Sequence, residues 1–151
     1  MFNGAVLVTK NDSIIYKESF GYANEEVKEK ITSESIFYIA SVSKQFTAMG
    51  IMILKEKDEL SYDEIKDFFP DYPKYLKDIS VRQLLNHTSG ITDTEYYKLT
   101  NPNNKDVLKI LMTQDSLELE NGNTFRYSNT GYVMLALIIE KVSGKPIDQF
   151  F

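Results

Sequence analysis

Residues 37–48 read Phe37-Tyr38-Ile39-Ala40-Ser41-Val42-Ser43-Lys44-Gln45-Phe46-Thr47-Ala48. This stretch places Ser41 and Lys44 in the spacing Ser-x-x-Lys, directly after a short apolar run. The residues from Phe46 to Leu54 are apolar on nearly every side, a pattern typical of a helix that is buried rather than amphipathic. We therefore predict a buried helix over roughly Val42 to Lys57, with Ser41 at its N-terminus.

The Ser-x-x-Lys spacing has a chemical use, because residues three apart share one face of a helix. A serine hydroxyl is a weak nucleophile until a neighbouring base takes its proton. Desolvation disfavours the charged form of a lysine, and the positive end of a helix dipole acts in the same direction. The helix N-terminus also offers backbone N–H groups to a developing oxyanion. Ser41 and Lys44 are thus candidates for a nucleophile and its base, although a serine near a helix start is more often only an N-cap.

Composition excludes several kinds of protein. The chain has 151 residues and a net charge of −5, with Lys and Arg scattered along it, so we expect no nucleic-acid binding. It has no cysteine, which excludes disulfides and thiolate metal sites, and its one histidine, His87, excludes multi-histidine metal sites. No apolar run approaches the length of a membrane span. The N-terminus lacks the features of a signal peptide, but an export signal could have been removed, so the compartment is left open.

The remaining chain predicts a hairpin followed by helices. Gly4 to Thr9 and Ser13 to Phe20 have the composition of two strands joined by a turn, and the polar residues from Gly21 to Ser35 predict a connecting loop. Asp58 to Pro73 is acidic and could suggest calcium. Because it lacks the glycine of an EF-hand loop, a solvated connection is the favoured interpretation. Apolar periodicity predicts three further helices: Val81 to Asn86, Lys105 to Thr113 and Gly131 to Val142.

Single residues predict where these helices begin and end. Ser80 has the character of an N-cap, Gly90 and Gly144 fit helix-terminating positions, and Pro146 suits the first turn of a further helix. His87 could be the base of a Ser-His-Asp triad, but nothing like Gly-x-Ser-x-Gly is present. We favour a structural His87 that hydrogen-bonds a turn.

A second motif, Tyr127-Ser128-Asn129, lies where a loop meets a predicted helix. The Tyr127 phenol beside a lysine could relay a proton to a leaving group, and the Asn129 amide could hold a substrate carbonyl. The alternatives are a packed aromatic for Tyr127 and an N-cap for Asn129.

With both motifs, the chain resembles the penicillin-recognising serine hydrolases, in the branch of class C β-lactamases, D-Ala-D-Ala carboxypeptidases and related esterases. The stretch around Ser41 resembles the nucleophile segment of that branch, and Tyr127-Ser128-Asn129 matches its Tyr-x-Asn element. Leu84 to Ile91, which reads Leu-Leu-Asn-His-Thr-Ser-Gly-Ile, is similar to a structural signature of the branch. Phe2 to Val8 and Phe20 to Asn24 look like its first hairpin. The matches run in family order over essentially the whole chain.

The resemblance implies an α+β fold of the β-lactamase/transpeptidase type, an antiparallel sheet with flanking helices, and an acyl-enzyme mechanism. Ser41 would be the nucleophile. Lys44 would deprotonate it, in a role that could be shared with Tyr127, so the acylation base is left open. Tyr127 would pass a proton to the leaving group, and Asn129 would orient the substrate. The Ser41 backbone N–H would be one oxyanion donor. No metal or cofactor is implied, and the substrate would be a β-lactam, a D-amino acid peptide or an ester.

The chain departs from the family pattern in two places. Asn121 stands where a proline usually precedes Gly122, a loop change of little chemical weight. No Lys-Thr-Gly or His-x-Gly element follows Tyr127, and in the family that element lies on a central strand and helps form the oxyanion hole. We therefore expect residues 1–151 to form a single truncated domain, the N-terminal hairpin plus the helical region, without the C-terminal strands and inactive alone.

Partners and alternative functions follow from this expectation. The partner would be a small-molecule or peptide substrate, and the unfilled sheet edge could pair with another copy or another chain. Proximity to a membrane or cell wall is an expectation for the whole protein, since the family is often extracytoplasmic. Two alternatives stay open: a non-catalytic penicillin-binding or sensor module that is acylated without turnover, and an inactive truncated gene product.

Overall fold

The computed structural model describes residues 2–63, 65, 67–91, 93, 98, 100 and 103–151. The chain divides into two compact units, Met1–Ala40 and Ser41–Phe151. The first unit carries the strands and the second carries the helices. The expectation of a single domain stays a prediction.

The first unit is built on the predicted hairpin. Strands β1 (Gly4–Lys10) and β2 (Ser13–Phe20) pair antiparallel, with Gly4 opposite Phe20. The two residues of the turn, Asn11 (φ 48°) and Asp12 (φ 60°), are both left-handed. Positive φ at both central residues is the requirement of a type I′ turn, whose twist matches that of the flanking strands. The prediction of this hairpin is confirmed.

A second, smaller hairpin follows within the stretch predicted to be a loop. Strands β3 (Tyr22–Asn24) and β4 (Glu29–Lys30) pair antiparallel, so the loop prediction is wrong for these residues. The Asn24 side chain accepts hydrogen bonds from the N–H groups of Glu26 (2.9 Å) and Val27 (3.3 Å), which reverses the chain between the strands. These strands are short and polar, so they lack the alternation that reveals a half-buried strand.

The second unit contains five helices among its described residues: α1 (Ser43–Glu56), α2 (Lys74–Lys77), α3 (Val81–Leu85), α4 (Asn104–Thr113) and α5 (Asn129–Ser143). The four predicted helices are confirmed, with small differences at their ends. Two short 3-10 turns, Ala40–Val42 and Ile147–Gln149, precede α1 and follow α5. Pro146 immediately precedes the second turn instead of lying within a longer helix.

The core of this unit surrounds α5. Its residues Met134, Leu135, Ile138 and Ile139 are completely buried. They belong to one apolar cluster with residues of α1, α3, α4 and the connection after α1, among them Ile51, Leu54, Leu60, Ile65, Phe69, Leu84 and Leu111. The prediction of a solvated connection over Asp58 to Pro73 is therefore wrong for its apolar residues, which supply part of the core. Glu64 and Lys66 in that stretch lie outside the described residues.

Helix α1 is buried on only one side. Gly50, Ile51 and Leu54 are buried, whereas Phe46, Met49 and Met52 are 47%, 54% and 59% exposed. The expectation that this helix is buried all round is wrong in this structure. Its buried side packs on α5. Among the described residues, no helix combines the length and the apolar character needed to cross a membrane.

Two helix ends follow the local chemistry that the sequence predicted. Ser80 caps α3 by accepting the Gln83 N–H (3.1 Å), and Gly144 ends α5 in the left-handed conformation (φ 69°), both as predicted. Helix α3 does not end at Gly90, however. It ends at Leu85, and His87 (φ 58°) is the left-handed residue that turns the chain. The Gly90 carbonyl instead accepts N–H groups from residues 118 and 119.

Candidate active site

Ser41 lies in the 3-10 turn just before α1, and its side chain is exposed. The preceding residue, Ala40, has φ 45°, which is uncommon for a residue other than glycine. Val42, the residue before α1, gives that helix no side-chain cap. The backbone thus turns sharply at Ala40 and presents Ser41 one turn ahead of the helix.

Lys44 is the second residue of α1 and reaches back over this turn. Its Nζ donates to Ser41 Oγ (3.2 Å) and to Asn129 Oδ1 (2.8 Å). The same ammonium lies over the rings of Tyr127 and Tyr132, 4.9 and 5.6 Å from their centroids. Two oxygen acceptors and two aromatic faces therefore hold the positive charge beside the serine.

Tyr127 meets Ser41 from the segment that leads into α5. Its hydroxyl donates to Ser41 Oγ at 2.7 Å. The adjacent Lys44 donor and, after it, the hydrogen bond with Ser41 hold the pKa of Tyr127 below its ordinary value. Partial burial and the negative charge of Asp93 raise that pKa by smaller amounts. The phenol thus lies within hydrogen-bond reach of the serine hydroxyl and has a lowered pKa.

Asn129 is the first residue of α5, and the alternative in which it is an N-cap is wrong. Ser128 caps the helix, because its Oγ accepts the N–H of Gly131 at 3.0 Å. The Asn129 side chain instead reaches Lys44. The structure therefore brings together Ser41, Lys44, Tyr127 and Asn129.

His87 lies behind this group. Its Nδ1 accepts the Ser128 N–H at 3.1 Å, and its ring stacks on Tyr127 (4.6 Å) and Tyr132 (5.0 Å). Burial first, and then the charge of Lys44, lowers the pKa of His87. A neutral ring that accepts at Nδ1 carries its proton on Nε2. His87 was predicted to hydrogen-bond a turn, but Ser128, whose N–H it binds, is extended and caps α5. The bond partner of His87 is the backbone of the second motif.

Asp93 was not predicted to belong to the site. It is 8% exposed and accepts hydrogen bonds from Ser128 Oγ (2.9 Å), Asn129 N (2.6 Å) and Thr130 N (2.9 Å). No periodicity or motif in the sequence around Asp93 indicates these contacts, because the partners follow 35 to 37 residues later in the chain. Over the described ranges, no three His, Asp or Glu side chains are grouped so that they could hold a metal ion.

Comparisons with known proteins agree with this geometry. The family model described as Beta-lactamase matches residues 2–151. Penicillin-binding protein 4* of Bacillus subtilis (strain 168) is 41% identical over 157 residues, a match that covers 99% of this chain and 34% of that protein. The chain therefore spans about a third of the length of this curated relative.

Solved structures show the same fold. The octameric penicillin-binding protein homologue from Pyrococcus abyssi superposes with a TM-score of 0.86 at 30% identity, covering 97% of this chain and 36% of that one. The D-amino acid amidase from Ochrobactrum anthropi SV3, complexed with L-phenylalanine, gives 0.79 at 30% identity, covering 97% and 41%. The fold is α+β, of the β-lactamase/transpeptidase type. By its family match, its relatives and its fold, this chain belongs to the β-lactamase family of penicillin-recognising serine hydrolases.

Proposed function

We propose that this site forms an acyl-enzyme on Ser41 and that the whole protein hydrolyses it. The observation that carries the proposal is the double hydrogen bond on Ser41 Oγ, from Tyr127 at 2.7 Å and from Lys44 at 3.2 Å. A nucleophile within hydrogen-bond reach of a base, with that base oriented by a third group, is the arrangement that covalent catalysis needs.

Tyr127 is the favoured base, and Lys44 is the alternative. The lysine donates to Asn129 as well as to Ser41, and these two hydrogen bonds fix the position of its ammonium group. The charge of this group favours the phenolate form of Tyr127, whose pKa is lowered. The phenolate takes the Ser41 proton while Oγ bonds to the substrate carbonyl carbon.

The same proton then serves the leaving group. When the tetrahedral intermediate collapses, the bond from carbon to the leaving nitrogen or oxygen breaks, and Tyr127 gives that atom its proton. Water attacks the acyl-enzyme in the second half of the cycle, loses a proton to Tyr127, and the carbon–Oγ bond breaks as Ser41 regains a proton. Ser41 N–H would be one oxyanion donor.

The substrate would carry a carbonyl that Asn129 can orient. The Asn129 Oδ1 accepts from Lys44, so its amide nitrogen is the part that would donate to a substrate carbonyl. The relatives are named as a penicillin-binding protein and a D-amino acid amidase. We accordingly propose β-lactams, D-amino acid peptides or amides, and simple esters as the substrate classes to test.

Ser41→Ala tests the proposal in the protein as its gene encodes it. The parent should be labelled at Ser41 by a fluorophosphonate and by a chromogenic cephalosporin, and the variant should lose both labels. Ser43→Ala is the matched control, and its label should stay on Ser41. Mass spectrometry that finds the label on Ser43 or Ser128 would refute the assignment. A label on Ser41 that persists for hours would indicate a penicillin-binding module without turnover.

A further inference from the structure

The start of α5 is held by a side chain from a distant part of the chain. The first N–H groups of a helix have no partner within the helix. At α5, Asp93 accepts those of Asn129 and Thr130, and Ser128 accepts that of Gly131. The Ser128 hydroxyl in turn donates to Asp93 Oδ1. Both carboxylate oxygens are therefore engaged.

Two other helices begin differently. Helix α3 is closed by Ser80 and Gln83, and α4 by Asn103 and Asp106, each through a capping box within a single turn. A local cap of this kind is sufficient to stabilise a helix start. The Asp93 carboxylate lies 35 or more residues away in sequence from the start of α5. It therefore has a second effect, because it also fixes the position of that helix start in the fold.

A second contact comes from the same segment as Asp93. His87 Nδ1 accepts the N–H of Ser128, and the His87 carbonyl accepts that of Arg126 at 2.8 Å. His87 and Asp93 thus contact the backbone on either side of Tyr127, and the His87 ring stacks on the Tyr127 ring. These contacts of His87 reach residues 126 to 128 and not Ser41 itself.

We propose that Asp93 is a positioning residue, whose carboxylate sets the places from which Tyr127 and Asn129 meet Ser41 and Lys44. This inference rests on the proposed function of the site. A displacement of about 1 Å at a reacting group can cost roughly a hundredfold in rate. Loss of Asp93 therefore affects the acylation step far more than it affects the affinity for substrate.

The test compares two carboxylates at helix starts. Asp93→Asn keeps the size of the side chain but removes its charge and one of its acceptors. Asp106→Asn is the matched control, because Asp106 also accepts a backbone N–H at a helix start, that of Asn103 at 3.3 Å. Both variants are made in the protein as its gene encodes it, and thermal unfolding monitored by circular dichroism establishes that each is folded.

The first measurement is the rate of Ser41 labelling by a fluorophosphonate at increasing probe concentration. Asp93→Asn should lower the limiting rate by about tenfold to a hundredfold, with a much smaller change in the half-saturating concentration. Asp106→Asn should keep the limiting rate of the parent. An Asp93→Asn protein that is folded and has the limiting rate of the parent overturns the proposal.

The second measurement does not need activity. The ¹⁵N resonances of His87, assigned by comparison with His87→Gln, are followed against pH. The groups that face His87 are Lys44, Asp93, Tyr127 and Tyr132, and the Asp93 charge raises the His87 pKa. Asp93→Asn should therefore lower the His87 pKa further and disturb its single Nε2–H tautomer, while Asp106→Asn should change neither.

The two measurements separate the two hypotheses. A parent protein without label on Ser41 contradicts the proposed function, and the His87 tautomer, which reports on its hydrogen bond with Ser128, then still decides whether Asp93 holds the motif. An unchanged titration and tautomer in Asp93→Asn contradict the role of Asp93. If Asp93→Asn does not fold, Asp93→Glu retains the charge but adds one methylene. A folded Asp93→Glu with the limiting rate of the parent likewise overturns the proposal.

Discussion

The Ser41 hydroxyl lies between two groups that could take its proton, and the dependence of acylation on pH distinguishes them. If Tyr127 is the base, the reactive form is its phenolate. The acylation rate then rises with pH and levels off above the Tyr127 pKa, which lies below the ordinary value for a tyrosine. If Lys44 is the base, loss of the Tyr127 hydroxyl leaves this rise in place.

Tyr127→Phe should slow acylation of Ser41 by about 10²- to 10⁴-fold, the usual contribution of a general base, and should abolish the rise with pH. The measurement is the labelling rate between pH 5 and 10. Tyr132→Phe is the control, because it keeps the ring beside Lys44 and removes only a hydroxyl that donates to the Leu85 carbonyl (3.1 Å). Its effect should be much smaller. A normal pH profile in Tyr127→Phe would assign the base role to Lys44.

Lys44→Gln tests whether Lys44 controls the protonation of Tyr127. Lys44 is the largest cause of the lowered Tyr127 pKa, so its removal raises that pKa. Because the phenolate then forms only at higher pH, the acylation rate should begin to rise at higher pH. The maximum acylation rate should also be lower than in the parent. The readout is the midpoint of the rate profile. A midpoint that stays in place in Lys44→Gln contradicts the coupling between the two residues.

Four residues of the candidate site could be predicted from the sequence, and a fifth could not. Ser41 and Lys44 share one helical turn, and Tyr127 and Asn129 form one short motif, so each pair is visible as a local pattern. Only the family resemblance indicated that these two pairs of residues lie together in the folded chain. Asp93 has no such pattern, because its role depends on a contact across more than thirty residues that exists only in the folded chain.

At the scale of elements, α1 and α5 pack closely where α1 has a glycine. A Cβ at Gly50 would lie 2.8 Å from Ile139 Cδ1, and 3.1 and 3.3 Å from ring atoms of Phe151 and Phe150. Ile139 is completely buried, so it has little room to move. The absence of a side chain at position 50 therefore allows this helix contact.

Gly50→Ala should destabilise the fold even though alanine favours helices by up to about 1 kcal/mol over glycine. The cost of overpacking is typically about 1–3 kcal/mol, which exceeds that gain. Gly131→Ala in α5 is the matched control, because its Cβ would meet only ordinary contacts at 3.5 Å or more. The measurement is the thermal unfolding midpoint of each variant. A Gly50→Ala protein that is as stable as Gly131→Ala would show that the contact is loose.

Elements were predictable where the decisive interactions are local. The ends of α3, α4 and α5 follow capping residues, and the first hairpin follows its apolar strands and polar turn. The hairpin of β3 and β4 was missed because its strands are short and polar. The end of α3 was predicted to within one residue, at Asn86 instead of Leu85, but the left-handed residue that follows it is His87, where a glycine was expected.

At the scale of the whole molecule, both units expose apolar side chains. In the first unit, Ile36 is 99% and Tyr38 95% exposed, and Leu7 and Ile15 are exposed on the hairpin. A two-stranded hairpin is marginally stable at best without further strands or helices against it. In the second unit, Phe46, Met49 and Met52 of α1 are exposed. Extensive exposed apolar surface is typical of faces that another chain or segment covers.

The exposure of these side chains leads to a prediction about residues 1–151 produced alone. We expect this polypeptide to self-associate, because strand edges and apolar helix faces pair readily with other copies.

We also expect no turnover by residues 1–151 alone. We propose acylation by Ser41, Lys44 and Tyr127, but a site that lacks one oxyanion donor loses about 10²–10³ in kcat, and Ser41 N–H is the one donor in our proposal. Light scattering after size-exclusion chromatography measures the association, and hydrolysis of a chromogenic cephalosporin and of a simple ester measures turnover. A monodisperse monomer that hydrolyses either substrate as fast as the protein encoded by the gene would contradict both expectations. It would show that residues 1–151 alone expose no apolar surface that causes association and contain every group that turnover needs.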